Sequence, residues 1–170
     1  MKPFPNDQYD PLRHADIIAL ETGREVIKAI DTELQLDIDS LGAYTTHWDL
    51  LNKFYKTGSN ILVGVGRFPF PWDSQVNSCY GHLVVKSQTA DHYHVYLRLT
   101  RPLDQATRIA LQFALGSDPI RETLNTKRLL VQDEAGILLF EPTLTMAAIL
   151  AWRNQPRHTQ FCTIPKVQNG

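Results

Sequence analysis

Cysteine is scarce: Cys79 and Cys162 are the only two in 170 residues. They are too few for a four-cysteine zinc site and form no disulfide framework, so a reduced intracellular setting is expected. Neither sign of charge dominates, with 17 Lys and Arg against 18 Asp and Glu and a net charge of -1. That balance argues against a histone-like or polybasic nucleic-acid binder but leaves room for a local basic groove. No uninterrupted apolar run approaches the roughly 20 residues of a membrane-spanning helix. The opening MKPFPNDQYDPLRH has no apolar stretch behind Lys2, which predicts no secretory leader. A cytoplasmic protein without membrane partners is the expectation. Internal repeats, low-complexity blocks, a G-x-S-x-G nucleophile turn and a phosphate-binding glycine loop are all missing.

What is present is ordinary globular composition, 43% hydrophobic and 21% charged, in a length that suits one domain over residues 1–170. Three prolines make residues 1–12 an irregular arm, and residues 155–170 form a tail. Between them the apolar period switches between two and near 3.6. Residues 14–30 have helical spacing, interrupted at Gly23. Residues 33–39, ELQLDID, alternate as a half-buried strand. A helix over 42–56 and an apolar strand over 61–65 follow, then an aromatic loop whose Trp72 is the exposed candidate. Two hairpins are predicted, one pairing 82–87 with 92–100 and one pairing 128–131 with 137–140. Helices are expected over 103–115, from Asp118-Pro119 onward, and over 143–153. This order predicts an α+β fold, an antiparallel-rich sheet with helices packed on one face.

Chemistry concentrates at three places. In Asp37-Ile38-Asp39 the two carboxylates share one side of a strand, their backbones roughly 6–7 Å apart. Hard oxygen donors so placed suit Mg²⁺ or Mn²⁺, the cations of phosphoryl transfer. In His92-Tyr93-His94 two imidazoles share a strand face that Tyr96 and Arg98 continue, with Lys86 on the partner strand. Such a strip suits phosphates and stacked bases. In Gly116-Ser117-Asp118-Pro119 the glycine ends one helix and Asp118 caps the next, and a capping carboxylate can also face a metal.

Taken together, the segments LQLDIDS, SQTADHYHVYLRLTRPL and ALGSDPIRETLNTKRLL resemble, in order and spacing, the three motifs of archaeo-eukaryotic primases, the primase-polymerase superfamily. The likeness covers the core, residues 33–141, and is similar to the small phage and plasmid type. It departs at His92, which stands where the second motif places a small residue. The resemblance implies a palm with an RNA-recognition-like core and a two-metal nucleotidyltransferase acting on NTP or dNTP over a DNA template. It implies Asp37, Asp39 and Asp118 as catalytic metal ligands for Mg²⁺ or Mn²⁺. His94 would be the nucleotide-binding histidine, with Ser87, Lys86 and Arg98 as further phosphate contacts. A separate helicase or replication protein is the implied protein partner.

Two other readings start from the same residues. A His-hydrophobic-His strand also serves metal-dependent replication-initiator endonucleases, but these need a later tyrosine nucleophile, and no tyrosine follows Tyr96. A catalytically inactive relative that binds nucleic acid or a replication protein would keep the fold without needing the carboxylates.

Overall fold

The computed structural model describes residues 21–56, 61–62, 76–79, 81–87, 90–131 and 138–155. The strands are β1 (Arg24–Lys28), β2 (Glu33–Ile38), β3 (Val76–Cys79), β4 (His82–Lys86), β5 (Tyr93–Arg98) and β6 (Leu138–Pro142). The helices are α1 (Leu41–Lys56), α2 (Gln105–Ala114), α3 (Pro119–Leu130) and α4 (Thr143–Arg153). The fold is α+β. One antiparallel sheet runs in the order β2-β5-β4-β3, leaving β2 at an edge, and β1 pairs with β6 separately. Among the described residues no helix is long and apolar enough to cross a membrane.

Alternation along β2 sends Leu34, Leu36 and Ile38 to one face. There they join Val84 of β4 and Tyr93, Val95 and Leu97 of β5, under Tyr44 and Leu51 of α1. Each such leucine, fully buried, contributes about 1.5–3 kcal/mol. The helix starts where Ser40 Oγ accepts from Ala43 N at 3.1 Å, an N-cap directly after the Asp-x-Asp strand.

Helices cover both faces of this sheet, not one. Leu83 and Val85 of β4 and Tyr96 of β5 point away from α1 and pack against Ile27 of β1 and against Ile149 and Trp152 of α4. The reason lies in β4, whose first four residues, HLVV, are buried whichever way they point. A strand apolar on both sides needs cover on both.

Three other expectations change. Only 21–22 of the expected helix over 14–30 are helical among the described residues; Gly23, at φ +63°, ends it and β1 follows. Arg128–Leu130 belong to α3, so the expected second hairpin does not form, and β6 pairs with β1 instead. At 61–65, only an isolated Leu62–Leu99 bridge is described. Residues 1–20, 63–75 with Trp72, and 156–170 lie outside the described residues.

α4 is fastened to the sheet by charge. Glu33 is 1% exposed and accepts from Arg153 Nε at 2.9 Å and Arg153 NH2 at 2.7 Å, a two-point pair. Arg153 NH2 also donates to Lys28 O at 3.0 Å. A lysine keeps the charge but not the planar fork. Arg153→Lys is therefore expected to cost about 1–2 kcal/mol in urea unfolding; an unchanged midpoint would show that one point of contact suffices.

Candidate metal and phosphate site

On the α4 side of the sheet, β2 and β5 present a ladder of opposed residues. Asp37 pairs in register with His94, Gln35 with Tyr96 and Glu33 with Arg98. One step beyond, His92 Nδ1 lies 3.3 Å from Asp39 Oδ1. The lower rungs are covered by α4: the Arg98 guanidinium lies 4.7 Å from the Trp152 ring centroid and donates to the carbonyls of Trp152 and Gln155. The upper rungs stay open, with the Asp37 and Asp39 side chains 25% and 49% exposed. Four rungs with the same strand periodicity thus divide into a structural half and an accessible half.

Asp118 reaches this open half through the corner between α2 and α3. α2 ends in a left-handed turn at Gly116, φ +91°, with Ser117 N donating to Gln112 O and Gly116 N to Phe113 O. The turn sets Asp118 N 2.7 Å from Asp37 O, while Asp118 Oδ2 caps α3 by accepting from Arg121 N at 2.8 Å. Its charge is felt at Asp39. The cap uses one oxygen of Asp118 and leaves the other available.

Electrostatics mark the cluster. Burial pushes the Asp39 carboxyl above its usual range, the Asp37 and Asp118 charges push it further, and His92 opposes them. His94 Nε2 stands 3.5 Å from Asp37 Oδ1, and that side chain is only 9% exposed. One ligand atom each from Asp37, Asp39 and His92 falls within 4.8 Å of the others. Carboxylate oxygens with an imidazole suit Mn²⁺, and the carboxylates alone suit Mg²⁺.

Asp37, Asp39 and His94 are thus brought together and His92 joins them, while Asp118 is held alongside through its main-chain bond to Asp37. Ser87 sits at the hairpin end, its N–H donating to His92 O at 2.9 Å. Lys86 and Arg98 are not brought in. Lys86 is exposed and pairs with Tyr93, so strand alternation turns it to the α1 side. Arg98 lies four residues along β5 from His94, roughly 13 Å away, under α4. The polar supports Gln112 and Glu122 had no distinctive sequence signal; the nearest clue was the spacing of Ser117, Arg121 and Glu122 behind the α3 cap.

Comparison of the chain with protein-family models, curated proteins and solved structures finds no match.

Proposed function

We propose that the chain is a primase-polymerase-like nucleotidyltransferase domain that transfers a nucleotide from an NTP or dNTP to a 3′-hydroxyl on a DNA template. The observation that carries this reading is the grouping of Asp37, Asp39 and His92 on the open half of one sheet face, beside His94, with the α2–α3 corner bonding Asp118 N to Asp37 O. In this reading the sheet is an RNA-recognition-like palm. Asp37, Asp39 and Asp118 hold divalent cations, Mg²⁺ or Mn²⁺, which when bound activate the hydroxyl and offset charge on the triphosphate. His94, mostly buried beside Asp37, presents its imidazole to a phosphate oxygen. Ser87, held at the hairpin end by its main-chain bond to His92, offers a hydroxyl as a further phosphate contact. α4 closes the lower half of the face and confines nucleotide and template to the upper half.

Primer extension on a DNA template with Mn²⁺ tests this directly. The parent protein is expected to extend a labelled primer and the Asp37→Ala/Asp39→Ala double variant is not. If the folded parent fails as well, the polymerase reading falls. Nucleic-acid binding that survives or improves without the carboxylates would then favour an inactive binding module.

A further inference from the structure

Between α2, α3 and the outer edge of β2 lies a polar core that ordinary amphipathic patterning would not place there. α2 and α3 bury Gln112, Arg121, Glu122 and Asn125, while Phe113, Ile120, Leu124 and Leu130 face solvent. The buried polar groups meet the free hydrogen-bonding positions of an edge strand. Gln35 N donates to Gln112 Oε1 at 2.9 Å, and Arg121 NH1 donates to Gln35 O. Asp37 N donates to Ser117 Oγ at 3.0 Å, and Asp37 O accepts from Asp118 N. Edge strands are commonly covered, but here the cover is hydrogen-bonded group by group.

Glu122 is the hub of this arrangement and is 1% exposed. Its Oε1 accepts from Ser117 Oγ at 2.7 Å and Arg121 NH1 at 2.8 Å. Its Oε2 accepts from Gln112 Nε2 at 2.9 Å and Asn125 Nδ2 at 3.1 Å. Both oxygens are saturated, so Glu122 fixes the hydroxyl direction of Ser117: that hydroxyl donates to Glu122 and must accept from Asp37 N–H. Through it, a buried charge on α3 sets the main chain of Asp37 against that of Asp118. The side chains of those two residues then project from a shared, rigid base.

We propose that Ser117 and Glu122 are positioning residues that set the separation of the Asp37 and Asp118 carboxylates, and with it the affinity of the site for a divalent cation. The inference rests on the cation-binding reading above. Partners behind metal ligands typically change affinity by about 10–100-fold when removed. Ser117→Ala is therefore expected to weaken Mn²⁺ binding, read by electron paramagnetic resonance of free Mn²⁺, by about tenfold or more. Ser117→Thr, which retains Oγ, restores it. Glu122→Gln, which keeps shape but loses the charge that orients Ser117, gives a loss in the same direction and covers the case in which Ser117→Ala does not fold.

Urea unfolding run beside the titrations separates a merely structural role, which lowers stability and leaves affinity unmoved. If the parent binds Mn²⁺ and both Ser117→Ala and Glu122→Gln bind it equally well while folded, the positioning role is overturned and the cation site stands. If the folded parent binds no Mn²⁺, the cation site itself is overturned and the positioning role with it.

Discussion

Asp37→Asn is expected to abolish tight Mn²⁺ binding and, in the metal-free protein, to raise the unfolding midpoint. Asp37 is the central rung of the open ladder, opposite His94 and in the ligand group with Asp39 and His92. Its main chain carries the bonds to Ser117 and Asp118, and these do not depend on the carboxylate. The amide therefore keeps the shape and the edge-strand contacts while removing one charge. With that charge goes part of the repulsion that, after burial, holds the Asp39 carboxyl high. Two carboxylates about 5 Å apart near a surface repel by about 3 kcal/mol before screening, and by on the order of 1 kcal/mol or less once solvent screens the half-exposed Asp39. A gain of that size moves the midpoint by about 1–3 °C in a domain of this length.

The metal reverses the order. Excess Mn²⁺ stabilises only the state that binds it, so the parent melts higher with Mn²⁺ than with chelator while Asp37→Asn does not respond. The sign with pH also follows. Asp39 has a raised folded pKa, so its contribution to metal-free stability is present below the unfolded value of 3.8 and is lost as pH rises through the folded one. That dependence shrinks in Asp37→Asn. Equal Mn²⁺ affinity in parent and variant would remove Asp37 from the site. A variant less stable than the parent in chelator would mean that the His94 contact outweighs the relieved repulsion.

Much of the site could be read from sequence because its parts are local. ELQLDID shows its period of two directly, and the same parity places His92 and His94 on one side of β5. Asp118-Pro119 announces a helix start by chemistry that needs no tertiary context. Long-range cover could not be read in the same way. Arg98 shares a strand face with His94, and only α4, more than forty residues later, decides that one is pinned under Trp152 and the other stands beside the partly exposed Asp37. α3 misled for a different reason. Its apolar residues Leu124 and Leu130 point outward and its polar ones inward, so the apolar end Arg128–Val131 suggests a strand until the polar edge of β2 is known to be its partner. In β1, five residues with Val26 and Ile27 adjacent fit either period, and the positive φ of Gly23 is what separates strand from helix.

Acid is expected to destabilise the fold well before the carboxylates titrate, through two buried histidines behind the sheet. His47 of α1 is fully buried, with Nδ1 2.6 Å from Leu115 O, so the neutral ring donates from Nδ1. Burial lowers its pKa from 6.5 to about 4, although the Leu115 carbonyl works the other way. His82 on β4, packed edge-on to Trp48 at 5.1 Å, is also held well below the usual range, by burial first and then by the nearness of His47. Both folded values lie below the unfolded one. The unfolded chain therefore takes up protons first, and stability present above pH 6.5 falls as pH drops towards 4. For His47 alone, the drop from 6.5 to about 4 amounts to about 3 kcal/mol, and His82 adds to it with the same sign. Urea unfolding at about pH 7.5 and about pH 4.5 measures the loss. His47→Asn keeps a donor for Leu115 O and cannot titrate, so the difference between parent and variant isolates the ring from the carboxylates, Asp39 included. A parent no less stable at the lower pH than the variant would mean that the ring is not held neutral. Leu115 caps α2 one residue before the Gly116 turn that carries Ser117 and Asp118 to Asp37. The charged ring would still donate to Leu115 O, so the cost of protonating His47 is the desolvation of its charge and is read in global stability, not in the helix end that precedes the third carboxylate.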